Sequence, residues 1–132
     1  MLDAGHPINA DYELVKYSQG TVRHRFYPPK VDVNAEMTPV ELARMFVTGR
    51  AAMLVTATAA QSKSDNAAYK DAIQKQIKSA TDALNAVKSV PEAAALVSAP
   101  TDENARKLVS AIASKDLSAE VKSLLPKPED YK

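Results

Sequence analysis

The residues of this chain that could do chemistry are few and far apart. Its two histidines, His6 and His24, are too few for a histidine-based zinc site without several carboxylates beside them. Cysteine is absent, which removes disulfides, thiolate nucleophiles and cysteine metal sites together and leaves the redox compartment open. A Ser–His–Asp triad would have to recruit His6 or His24, both in the N-terminal stretch. The neighbouring carboxylates Asp102 and Glu103 fall where a helix is expected to start, and acids there complement the helix dipole. The three glycines, Gly5, Gly20 and Gly49, are too dispersed for a phosphate-cradling loop or a dinucleotide fingerprint. Gly49 falls inside a helical pattern, where the expected reason for it is close approach of a neighbouring backbone. The sequence therefore predicts no enzyme, no cofactor and no bound metal.

One run invites a binding role. In Arg23-His24-Arg25-Phe26-Tyr27, basic and aromatic residues interleave, as on surfaces that grip phosphate and stack bases. Charge argues against that use. Lys and Arg total 17 against 16 acidic residues, a net charge of +1, so there is little counterion release to gain on a polyanion. Glu13, Asp32 and Glu36 can balance the two arginines within the same stretch. Nucleic acid is not expected as a main partner. Contacts with protein are expected instead, through Tyr12, Leu14, Arg23, Arg25, Phe26 and Tyr27.

The elements that would position these residues divide the chain. Residues 1–37 read as an extended arm. Tyr12 to Tyr17 has strand-like composition, Ser18-Gln19-Gly20 supplies a turn, and Thr21 to Tyr27 resumes the pattern until Pro28-Pro29 ends it. Val31 and Val33 suggest a third short strand. A two-stranded hairpin is marginal alone, so this arm is expected to lie against a surface. The amino-terminal residues lack the basic and apolar regions of a signal peptide, and the longest charge-free apolar stretch, Ala51 to Ser62, is too short to span a bilayer. The reading is of a soluble chain with no membrane partner.

From residue 38 the pattern turns helical. Thr38-Pro39-Val40-Glu41 is a capping box with proline at the first helical position, and it predicts a long central helix from Pro39 to about Gln61. Leu42, Met45, Phe46 and Met53 form one apolar stripe on it, and Val40, Val47 and Leu54 another. A second helix to about Lys88 carries Tyr69, Ile73, Ile77, Ala80, Leu84 and Val87 at steps of three and four. Ser89-Val90-Pro91-Glu92 reads as a second capping box opening a short helix. Thr101-Asp102-Glu103 starts a fourth, with Ala105, Leu108, Val109 and Ile112 as its stripe, and Ser118-Ala119-Glu120 opens a last one. The expected fold class is mainly α: an N-terminal β-hairpin arm, then a four- to five-helix bundle over residues 38–126 with one long central helix, then a polar tail over 127–132.

These observations lean toward a structural role. An alanine-rich body buries little area per helix, so stability is expected to come partly from other subunits in a homo- or hetero-oligomer. The expected function is a non-enzymatic structural subunit of a large assembly, with a virion component (a minor capsid, decoration or neck protein of a tailed phage) as the specific form. The alternative is a small helical adaptor, a chaperone-like module or an accessory subunit of a cellular complex, offering the Leu42/Met45/Phe46/Met53 face to a partner helix.

Overall fold

A computed structural model describes residues 11–19 and 36–132. The expected strands at 21–27 and 31–33, the Pro28-Pro29 break and both histidines lie outside the described residues. Among the described residues there are six α-helices and no strand: α1 (Leu14–Ser18), α2 (Pro39–Ala60), α3 (Ala67–Ala86), α4 (Pro91–Ser98), α5 (Asp102–Ile112) and α6 (Ser118–Val121), followed by a 3-10 turn at Pro128–Asp130. None of these helices is long and apolar enough to cross a membrane.

The long helix α2 starts where its capping box says it should. The Thr38 hydroxyl accepts from the Glu41 amide at 3.2 Å, and the Glu41 carboxylate accepts from the Thr38 amide at 2.8 Å. At the far end the Tyr69 hydroxyl donates to the Ala60 carbonyl at 3.0 Å, which satisfies one of the acceptors a helix C-terminus leaves over. Tyr69 stands on α3, whose own first turn is capped by the Asn66 side chain accepting from the Tyr69 amide at 3.1 Å. With Ala60 against Tyr69 and Arg50 against Ser79, α2 and α3 run antiparallel. α2 is the hub, touching α1, α3, α5 and α6, while α4 bridges α3 and α5. Phe46, Val47 and Leu54 of α2 meet Leu84 of α3, Leu96 of α4, Leu108 and Ile112 of α5, and Val121 of α6 in one core. Full burial of each such side chain contributes about 1.5–3 kcal/mol. Alanines at 43, 51, 80, 83 and 93 let the backbones approach within that core.

Three local expectations fail for physical reasons. Residues 12–17 do not form a strand: Leu14–Ser18 is a helix, capped by the Glu13 carboxylate accepting from the Lys16 amide at 2.7 Å. A five-residue helix has no stability of its own, and packing onto α2 holds this one. Val15 is fully buried in the common core, so residues 13–19 belong to the body, and the arm is not wholly separate from it. The Ser89–Glu92 capping box does not form either. Val90 occupies the N-cap position because its side chain is drawn into the core, which leaves Ser89 one residue outside, its amide donating to the Glu120 carboxylate at 3.3 Å. The polar tail also does more than fray. Tyr131 packs against the core, and the Lys132 amide donates to the Lys16 carbonyl at 3.1 Å.

Gly49 answers to the expected close approach. A Cβ placed there would meet Leu14 Cβ at 3.3 Å, so the contact is with α1 rather than with another long helix. The approach of Leu14 to Gly49, with the Ser18 hydroxyl at 3.1 Å from Met45 Sδ, sets α1 antiparallel to α2.

Candidate functional site

Because α2 is apolar nearly all round, it needs cover on every side, and its neighbours among the described residues do not supply it. Thr48, Ala52, Val55, Thr56 and Ala59 recur at helical spacing on one side; Ala52, Thr56 and Ala59 are exposed, Thr48 and Val55 half-buried. Of its two threonines, the exposed one turns its hydroxyl inward: Thr56 Oγ1 lies 2.9 Å from the Ala52 carbonyl and 3.2 Å from that of Met53, so its hydrogen is spent within the helix. The stripe therefore offers a predominantly apolar floor.

Two walls make that floor a trough. On one side Tyr12, Glu13 and Leu14, with Gly49, Arg50, Met53 and Gln76, enclose a cleft of about 320 Å³. On the other, Ala105, Arg106, Val109, Ser110 and Asp102 of α5 stand over Thr48, Ala51 and Val55 and enclose about 600 Å³. Ala52 and Thr56 line both, so the two clefts share one floor. Each wall carries an exposed apolar group. Tyr12 is 45% exposed and stacks on Tyr17 with centroids 4.9 Å apart, and Val109 is 39% exposed.

The charged groups beside the narrower cleft are anchored. Arg50 lies across the α1–α2–α3 junction, donating from Nη1 to the Ser79 hydroxyl at 2.5 Å, with its guanidinium carbon 4.9 Å from the Phe46 ring centroid. Its Nε is buried and has no hydrogen-bond partner among the described residues. Desolvation lowers the Arg50 pKa, and the nearby Glu13 charge opposes that shift. Glu13 is itself buried, with its carboxylate engaged at the start of α1. Arg50 thereby ties α2 to α3, with the Glu13 charge at the start of α1 close by. No group of three or more His, Cys, Asp or Glu side chains among the described residues could hold a metal ion.

Of the six interaction residues named from the sequence, Tyr12 stands at the rim of the trough, and Leu14 packs onto Gly49 within the chain. Arg23, Arg25, Phe26 and Tyr27 lie outside the described residues. The helix face proposed as an adaptor groove is already in use: Phe46 is fully buried, Leu42, Met45 and Met53 pack against the core, and Met45 also meets Ser18 of α1. Val109, expected in the core, is 39% exposed, because α5 buries Leu108 and Ile112 and packs Ala105 and Ala111 against the core instead. The trough was missed for a simple reason. Alanine and threonine carry no hydropathy signal strong enough to mark an exposed stripe. Comparison with protein-family models, with curated proteins and with solved structures finds no match to this chain.

Proposed function

We propose that this chain is a non-enzymatic structural subunit of a large multi-protein assembly, and that the α2 trough is a surface by which it docks. The observation that carries the reading is the uncovered stripe on the central helix, walled by Tyr12 on one side and Val109 on the other. A floor of alanine and threonine lets a neighbouring backbone come close, while exposed aromatic and branched groups at the rim supply area to bury. The setting we favour is a virion, as a minor capsid, decoration or neck component of a tailed phage, since such particles repeat small subunits many times.

The experiment is gradient sedimentation of a gentle lysate from cells making the chain at native level. The expected result is co-migration with a fast-sedimenting particle at fixed stoichiometry, and release by Ala52→Arg, an exposed change that keeps helix propensity. Nuclease-protected nucleic acid in that particle would mark it as a virion, and its absence as a cellular complex. A chain found only as a free small species in those cells overturns the assembly reading.

A further inference from the structure

The α5 side of the trough has a feature that the α1 side lacks. Asp102 and Arg106 both line it, one helical turn apart, and both are exposed. Neither makes an ion pair or a side-chain hydrogen bond among the described residues, whereas Glu103 and Lys107, one residue along, pair at 2.7 Å. Among the described residues, one acid and one base therefore sit without a partner on the rim of an apolar groove, with the exposed Val109 a turn beyond and the small Ala105 between them.

We propose that this groove is the contact between two copies of the chain, related by a two-fold axis crossing α5 near Ala105. The proposal rests on the reading of the trough as a docking surface and names its occupant. The charge pattern selects a second copy. In a two-fold contact each residue meets its counterpart in reverse order, so antiparallel α5 helices bring Asp102 of either copy to Arg106 of the other, twice. An unrelated partner would have to present the same acid–base spacing, while a second copy carries it by construction. Ala105 at the crossing lets the two helices approach closely, and Val109, 39% exposed, gains further cover from the other copy. The alternative use of the two charges, an Asp102–Arg106 bond within one helix, is a weak exposed pair and competes poorly with a partly desolvated one across the contact.

The test is sedimentation equilibrium of the purified full chain from about 1 µM to about 1 mM, the range in which modest interfaces dissociate. A monomer–dimer equilibrium is expected. Asp102→Arg and Arg106→Asp each set like charges against one another twice, and each should weaken the dimer by about tenfold or more. The double reversal should return the dissociation constant to within about threefold of the parent. Lys107→Glu, at the charge already paired within the helix, serves as the control and should leave the dimer within that margin. Circular dichroism of each variant confirms that the helices are intact. A chain that stays monomeric throughout, a dimer indifferent to both single reversals, or a double reversal weaker than either single one overturns the proposal. The outcome is separable from that of the assembly reading. Particles that retain the chain while it fails to dimerise sink only the two-fold contact, and a dimer found free of any particle sinks only the assembly.

Discussion

Val15→Ala probes how far the segment before α2 belongs to the body. Val15 is fully buried, is a member of the common core, and stands on a helix of five residues that exists only through packing. The change removes two methyl groups; one such group costs about 0.5–1.5 kcal/mol in a core, and the cavity adds to that where the site cannot collapse. Here the site is able to collapse in part, because α1 is short and meets only α2 among the helices in any extent. The expected loss is therefore about 2 kcal/mol, in the middle of the range for two methyls. For 132 residues at about 2.1 cal/mol/K each, unfolding entropy is roughly 280 cal/mol/K, so the midpoint should fall by about 7 °C. Thermal melts followed by circular dichroism, with urea titrations to check that the slope is unchanged, give the number. Lys16→Ala, on the same helix but only half-buried, is the control and should move the midpoint little. Amide exchange adds a local readout: the Gln19 amide donates to the Val15 carbonyl at 3.0 Å, and its protection should drop in the variant. A midpoint within 1 °C or so of the parent, with Gln19 exchanging freely in both proteins, would refute the reasoning. It would mean that α1 is not part of the cooperative unit.

Four further outcomes are expected. Thr38→Ala should cost about 1 kcal/mol in a thermal melt, through loss of the 3.2 Å bond from the Glu41 amide, and Glu41→Ala should destabilise in the same direction. Tyr69→Phe should cost about 0.5–1 kcal/mol, because the Ala60 carbonyl at the end of α2 loses one of its two donors and keeps the Lys63 amide at 3.0 Å. The Glu120 carboxyl is held below its ordinary value by its bond from Ser89, so it stabilises the fold above the usual carboxylate range and that contribution fades as pH falls through it. Glu120→Gln should accordingly flatten the acid limb of a stability-versus-pH curve. Finally, a fluorescence titration at physiological salt should show no sub-micromolar binding to DNA or RNA, and tight binding abolished by Arg23→Ala with Arg25→Ala would reverse the charge argument.

What could be read from the sequence was what local chemistry decides. The Thr38 box and the Thr101 cap place two helix starts within a residue, because the side chain and the amide it satisfies lie three positions apart. The α3 stripe was equally legible, with Ile73, Ala80, Leu84 and Val87 all buried. Segment 12–17 was misread because its aromatic and branched composition favours a strand in isolation, while the fold supplies what a strand reading cannot contain: a core site for Val15 and a Gly49 surface for Leu14. Ser89 was misread because Val90 gains more from burial than the helix gains from a cap. Docking of the tail through Tyr131 and Lys132 depends on where α1 lies, and no pattern within residues 127–132 encodes that.

The stripe on α2 was illegible in a more instructive way. Low hydropathy contrast around a helix is normally taken to mean that neighbours cover it completely, and the sequence reading placed α2 at the centre for that reason. α2 is central, yet α1 and α5 stop short of one another and leave Ala52 and Thr56 exposed on the floor between them. Among the described residues no helix after α3 is left to close that gap: α4 is spent on α3 and α5, α5 on α4 and α2, and α6 on α2 and α3. The same small side chains that make the stripe inconspicuous also keep the cost of its exposure low, since each alanine or threonine leaves little apolar area in water. A floor built this way costs little while exposed and offers close packing to whatever covers it. The Val109 rim sharpens the point. Leu in its place would bury more area in a contact but enlarge the exposed patch in the free chain, so Val109→Leu should strengthen two-fold association in sedimentation while leaving the melt of the dilute monomer unchanged. If the substitution instead raises the monomer's midpoint, Val109 is packing within its own chain, and the trough has been drawn one wall too wide.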